Sequence, residues 1–476
     1  MIPANVKYQS KAEIAPARRY RTNIQPQNGT GSATSGYTGN TTIIINIPTR
    51  NNTALITSES CLKFSTRCTV GGTAATVFNL ESCGAHSYIQ RIRVFHGSNL
   101  LSDIDQYNGL AKILYDFQMP LDAVQGRYSA TSGTTNEYGI NPVGTTIADI
   151  QGNGLVAKPT NRGKCYIAPN ATTASSVLAA NATFDDNFSI NLISLVGSLS
   201  GSKYLPLWEM TSAPLRVEIQ LVPSIVNAFA IAPAGAVSAA GFTLFNVEYI
   251  AEFLELPDSA IAAIKAGSTN PLQMVFSDFR SYPYSTVLQN STTQVSMPIP
   301  AKFSSLKSIS VAQKITTGAA TFYPLWSSNF NLQSYQFRIG SEVVPSQAPS
   351  TSSDFFNEAV KCFGSIADLG YQPSVDIDAY SPAVANWSTA AAGVIMDTFL
   401  EAQTANSGSF VVGIDLESYQ NTDKSTIFAG MNTNTSDIFY NPTHNATASN
   451  TAINYNAYAN FDSVLVCENG VAYVRF

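Results

Sequence analysis

The chain has 476 residues, too many for one ordinary domain, and 45% of them are hydrophobic, enough for a large core. Charged residues make up only 12%, with a net charge of −6. These figures exclude a disordered polyelectrolyte, a collagen-like or heptad-repeat rod and a disulfide-dense small scaffold, and they argue against a nucleic-acid binder.

Residues 1–40 form a Gly/Ser/Thr-rich arm bearing Lys7, Lys11, Arg18, Arg19 and Arg21, without the apolar run of a secretory signal. Short β-branched and aromatic runs follow: TTIIINIP, SCLKFSTRCTV, YIQRIRVF, APLRVEIQLV and LFNVEYIAEFLEL. Gly, Ser, Asn, Thr and Pro separate them, which predicts the short strands of a sandwich or barrel. After YIQRIRVF, Ser102 with Asp105 resembles a capping box, and Ile104, Tyr107, Ala111 and Leu114 recur at helical spacing. The uncharged run 221–247 has the length of a membrane span, but Pro223, Pro233 and Asn227 weaken both a helix and its transfer into lipid. It is expected as strand, small-residue loop, strand.

The segment LPDSAIAAIKAGSTNP predicts a linker helix within 257–275, capped by Asp258 or Ser259, with Ile261 and Ile264 on its apolar face. Lys265 suits its last turn and Gly267 its end. A second set of strands comes next: YSTVLQ, TQVSMPIP, SSLKSISVAQ, YQFRIG, SFVVGIDLESY, FDSVLVCE and VAYVRF. Thr351 with Asp354 opens another helix, followed by Phe355, Phe356, Ala359, Val360 and Phe363, with Gly364 at the stop. Two polar insertions, about 125–187 and 420–455, exceed ordinary turns and are expected as ordered surface loops.

The two sets of strands repeat. A shift of 243 places Ile89-Gln90 on Leu332-Gln333, Val94 on Phe337, Gly97-Ser98 on Gly340-Ser341 and Leu100-Leu101 on Val343-Val344. It also lays Ile44-Ile45 on Val287-Leu288, and one further residue aligns Leu62-Lys63 with Leu306-Lys307. The fold class expected is all-β: two tandem jelly-roll (β-sandwich/barrel) domains with short flanking helices. The domains are the arm 1–40, a first roll 41–256, the linker helix 257–275 and a second roll 276–476.

Catalytic patterns are missing: there is no HExxH, GxSxG, P-loop or GxGxxG after a strand. Of three histidines, His96 is expected as a packed strand-end residue and His444 as a solvated loop residue. The acid pairs Asp103/Asp105, Asp185/Asp186 and Asp415/Glu417 are expected in structural roles, the first opening a helix and the last facing water. Six cysteines without a CxxC pair predict buried free thiols, with Cys61 and Cys68 on opposite strand faces. No catalytic residue, cofactor or metal site is assigned.

The order of elements resembles the double jelly-roll major capsid proteins of icosahedral DNA viruses. YIQRIRVFHGSNLLSDIDQYNGLAKILYDF looks like the strand, Gly turn and helix of a first roll, and YLPLWEMTSAPLRVEIQLV like its late strand. YQFRIGSEVVPSQAPSTSSDFFNEAVKCFG matches the same element in the second roll, and FDSVLVCENGVAYVRF is similar to the closing hairpin. The chain looks closest to polinton-like viruses and virophages. It lacks the Gly-rich, Phe-rich opening common in the large nucleocytoplasmic viruses, and tailless bacteriophages share the fold. The resemblance implies a virion protein, made in the host cell and not secreted, whose homotrimers present six barrels and tile a shell. It further implies neighbouring capsomers, penton and minor capsid proteins, or an internal membrane as partners, and no sequence-specific nucleic acid. Lys7, Lys11, Arg18, Arg19 and Arg21 would contact them on the inner face, so deletion of 1–25 would spare trimers and impair assembly. A cell-surface or carbohydrate-binding β-sandwich protein is the alternative, and a glycosidase stands third.

Overall fold

A computed structural model describes residues 17–73, 77–134, 180–201, 203–232, 239–267, 271–288, 294–315, 325, 327–330, 332–364, 366, 373–375, 380, 408–418, 428–445 and 451–476. The first half contains β1 (Arg18–Ile24), β2 (Thr42–Ile47), β3 (Thr53–Leu55), β4 (Cys61–Thr69), β5 (Val77–Leu80), β6 (Ile89–His96) and β7 (Asn99–Asp105). Helix α1 (Tyr107–Gln118) follows, then β8 (Thr183–Ile190), β9 (Leu215–Leu221), β10 (Phe229–Ala232) and β11 (Gly241–Glu255). Helix α2 (Asp258–Gly267) leads to β12 (Leu272–Leu288), β13 (Met297–Ile299), β14 (Leu306–Ile315), β15 (Leu332–Ile339) and β16 (Glu342–Val344). Helix α3 (Ser352–Lys361), β17 (Val411–Asp415), β18 (Ile438–His444), β19 (Thr451–Glu468) and β20 (Val471–Arg475) complete the second half.

Each half has two main sheets. The orders are β1-β11-β4-β8 and β2-β9-β6-β7 in the first, and β12-β19-β14-β17 and β13-β18-β15-β16 in the second. First pairs with last and second with next-to-last of the eight strands in each half, which is the wrapping of a jelly roll. Both halves follow one plan, so the expected pair of tandem rolls is present. Alternation explains the strands: in β9 Leu215, Val217, Ile219 and Leu221 are buried while Arg216, Glu218 and Gln220 reach outward. Each such buried aliphatic side chain contributes roughly 1.5–3 kcal/mol.

The 243 shift holds for β6 and β15 and for the turns that follow. Gly97 and Gly340 take φ of 59° and 60°, a left-handed conformation that strains any residue with a Cβ. It fails for Ile44-Ile45, because Val287 and Leu288 end β12, the counterpart of β1, whereas β2 corresponds to β13. An apolar dipeptide suits any strand, so that match carried no register. Ser102 and Asp105 also do not cap α1. They lie on β7, and the helix starts after Gln106 in a left-handed conformation with no side-chain cap. Thr351 does cap α3, its Oγ1 accepting from Asp354 N at 3.2 Å.

The polar insertions are corrected in part. Residues 135–179 and 419–427 lie outside the described residues, but 183–190 is β8 and 438–444 is β18. In β18, Ile438, Tyr440, Pro442 and His444 are buried, so polar and turn-forming residue types conceal a regular strand. The arm is also shorter than its composition indicates. β1 pairs with β11 from Arg18↔Glu255 to Ile24↔Tyr249, so the first roll begins at Arg18, and a deletion of 1–25 would remove an edge strand. Likewise β12 already begins at Leu272. Among the described residues, no helix is long and apolar enough to cross a membrane.

Candidate assembly surfaces

The two rolls meet where β7 packs against β12 and β20. Ser102 Oγ donates to Asp278 Oδ1 at 3.0 Å, and Phe279 N donates to the same oxygen at 2.9 Å. Ala472 N donates to His96 Nδ1 at 3.1 Å, and Asn99 Nδ2 donates to the Ala472 carbonyl at 3.0 Å. Ser212 N reaches Gly470 O at 3.1 Å, and the Tyr458 hydroxyl reaches Gln106 O at 3.1 Å. Deeper in the seam, Lys112 Nζ of α1 binds Asp116 Oδ2 at 2.7 Å and Ser409 Oγ of the second roll at 2.8 Å. Leu325 N donates to Glu81 Oε1 at 3.0 Å, and Ser374 Oγ to Tyr115 O at 3.1 Å. Lys265 of α2 pairs with Glu209 at 2.8 Å.

Many of these groups are buried, so each depends on its partner: a buried charge is tolerated only when paired and hydrogen-bonded. Burial raises the Asp116 carboxyl, and Lys112 opposes that shift. Burial also pushes Asp278 up to about 7, against the two hydrogen bonds it accepts. A cleft of about 620 Å³ opens between the rolls, lined by Leu114, Ile193, Phe276, Lys307 and Asp462 among others.

Among the described residues, the corresponding edge strands β16 and β1 end their sheets without a further strand beside them. β16 is exposed at Glu342 and Val343, and β1 at Arg18, Arg19, Arg21, Thr22 and Asn23. Tyr20 and Ile24 of β1 pack partly on the core. The basic residues singled out in the sequence are therefore divided. Arg18 and Arg21 are exposed on β1, and Arg19 is ion-paired with Glu59 and with Glu252 at 3.0 Å to the latter. Lys7 and Lys11 lie outside the described residues. The seam residues Lys112, Asp116 and Asp278 were not anticipated. The signal for Lys112 and Asp116 was a Lys–Asp pair four apart within the otherwise apolar stretch GLAKILYDF, and Asp278 had no local signal.

The histidines are structural. His86 sits between the Tyr107 and Tyr115 hydroxyls at 2.8 and 3.0 Å, and burial pushes it down to about 3. His96 is packed at the strand end as expected. His444 is not solvated: it is buried, with Nδ1 3.0 Å from the Phe330 carbonyl and Nε2 2.8 Å from the Tyr455 hydroxyl, and burial lowers it to about 4. Asp103 holds Arg91 with two hydrogen bonds, and Asp185 holds Arg67 in the same way. Asp103 and Asp105 end a strand instead of opening a helix. Asp415 and Glu417 are half-buried, not turned to water, because Lys307 lies 3.3 Å from Glu417. Cys68, Cys83, Cys362 and Cys467 are buried free thiols, and Cys61 is half-buried and free on the opposite face from Cys68. Cys165 lies outside the described residues. Among the described residues, no three His, Cys, Asp or Glu side chains gather as a metal site.

No protein-family model matches the sequence, and no curated protein matches it. Solved structures do match. The major capsid protein of mavirus is similar over 100% of this chain and 93% of its own, with a TM-score of 0.59 and 12% identity. The fold is shared with major capsid proteins. A quasi-atomic structure of the PBCV-1 virus capsid matches over 98% of this chain and 99% of its own, with a TM-score of 0.58 and 11% identity. The Faustovirus major capsid protein matches over 97% and 91%, with a TM-score of 0.57 and 10% identity. At such identities the double jelly roll is common to them while most side chains differ.

Proposed function

We propose that this protein is a major capsid protein of an icosahedral DNA virus, a structural and non-enzymatic subunit whose homotrimers tile the shell. The observation that carries the reading is the full-length likeness in fold to major capsid proteins, with both rolls present and in the same order. Three chains supply six barrels of nearly one plan, so a threefold ring approximates a hexagon and packs edge to edge. A chain with few charges can bury wide flanks at little desolvation cost. Neighbouring trimers, penton and minor capsid proteins are the further partners in this reading. The segment before β1, with Lys7 and Lys11, contacts them or an internal membrane on the inner face. Its test is deletion of 1–16, which spares β1: trimers persist and shell assembly fails, and unimpaired assembly would overturn the role.

Negative-stain imaging of the purified protein tests the main proposal. Pseudo-hexagonal rings with a threefold axis are expected. A stable monomer that binds glycans would instead support the carbohydrate-binding reading.

A further inference from the structure

We propose that the cleft between the two rolls is a binding site for a neutral amphiphile, an alkyl chain ending in a hydroxyl group, with one molecule held per chain.

The cleft joins apolar walls to one polar row. Leu114 of α1, with Ile193 and Leu199 of the segment after β8, lines the first-roll side, and Phe276 and Phe279 of β12 continue the apolar lining on the second. Its volume of about 620 Å³ is that of a site for one small molecule. Walls of this kind favour the exchange of water for an alkyl chain. The polar row belongs to the second roll. Ser277 pairs with Asp462 and Phe279 with Asn460, so alternation sets all four side chains on one face of β12 and β19. Lys307 stands beside them, at the irregularity of β14 where Leu306 pairs with Phe461 and Ser308 with Asn460.

Burial sets this row apart from an ordinary outer sheet face. Lys63, the first-roll counterpart of Lys307, is exposed on β4, whereas Lys307 is 7% exposed and Asp462 8%. Lys307 is nevertheless loosely held: its Nζ lies 3.3 Å from Glu417 Oε1, 3.5 Å from Ser277 Oγ and 3.9 Å from Asp462 Oδ1. Asn460 Oδ1 is buried and accepts no hydrogen bond among the described residues. A buried acceptor calls for a donor, and a lysine ammonium has three protons to give. One hydroxyl answers both, donating to Asn460 Oδ1 and accepting from Lys307 Nζ. Charge selects the hydroxyl over an ion. One ammonium beside two carboxylates leaves no net positive charge for an anionic head, and a cationic head would lie against Lys307.

Titration calorimetry of the full-length protein at pH 7 with 1-decanol, decanoate and decylammonium, each in monomeric solution, tests the site. Decanol is expected to bind one per chain, at least tenfold more tightly than either ion, and to raise the midpoint of thermal unfolding. Asn460→Leu keeps the size of the side chain without its acceptor and should weaken decanol at least fivefold. Leu199→Trp fills the cleft from the first-roll side and should abolish binding. The comparison of the three amphiphiles needs no variant, so it stands if either substitution harms folding. Equal affinity for all three would overturn the assignment of the hydroxyl. Decanol binding that does not saturate, or that survives in both variants when they are folded, would overturn the site itself.

Discussion

In the first roll, β6 and β9 face each other with Phe95 opposite Arg216; at the same place in the second roll, β15 and β18 set Arg338 opposite Phe439. The guanidinium lies over the ring in both, at 4.6 Å in the first and 4.7 Å in the second. The two residue types have exchanged strands while the cation–π contact is kept, so the position requires the pair and not either residue. A similar exchange occurs at the level of whole strands. β3 pairs with the end of β11 beside β4, and β20 fills the matching place beside β19 and β14. One is drawn from the middle of its roll and the other from the end of the chain. Because β20 also binds His96 and Asn99, the second roll uses this strand to grip the first.

The largest expected effect separates the two helices. Lys112 of α1 is buried with Asp116, whereas Lys361 of α3 pairs with Glu358 near the surface. Lys112→Ala leaves a buried carboxylate without its cation and should cost roughly 3–5 kcal/mol in chemical denaturation. Lys361→Ala should cost under about 1 kcal/mol. Equal losses would remove the distinction between a buried ion pair and one at the surface.

The internal seam should also respond to pH. Asp278, raised to about 7 in the folded chain from 3.8, keeps a proton that the unfolded chain has released. The folded state binds more protons across that window, so stability falls as pH rises from about 4 to about 7 and levels off above it. Asp278→Asn should flatten this slope and raise stability at pH 8 by a few kcal/mol, on the order of 1.4 per pH unit of the shift. The midpoint of thermal unfolding at pH 5 and pH 8 reads the difference, and an unchanged slope would show that Asp278 is solvated.

Two smaller effects sharpen the comparison. Thr351→Ala removes the cap of α3 and should cost about 1 kcal/mol, with helix-start amides losing protection from hydrogen exchange. Phe95→Arg with Arg216→Phe gives the first roll the arrangement of the second. Each single change should cost about 0.5–1 kcal/mol, and the double variant should recover most of it. Additive losses would mean that the pair is not a unit.

Much of this was legible in the sequence because the rolls use strong local signals. Ile43, Ile45 and Ile47 alternate cleanly, Gly97 and Gly340 mark the same turn, and Thr351 precedes its helix at capping distance. What was hidden lacked such signals. β18 carries Asn441, Pro442, Thr443 and His444, residue types of loops, and becomes a strand only through its neighbours β13 and β15. β1 lies in a polar arm, yet Tyr20 and Ile24 anchor it against β11. Ser102 and Asp105 fit a capping box in spacing, but a strand claimed them. The seam was the least legible part, since Ser102 and Asp278 are 176 residues apart and nothing local links them.

The capsid reading requires that this chain associate with other copies of itself. The most direct test is the solution mass of the purified protein across a hundredfold range of concentration. A closed threefold ring predicts about 153 kDa throughout, three chains of 50.9 kDa, with no growth into open polymers. A mass that stays at that of a single chain would contradict it.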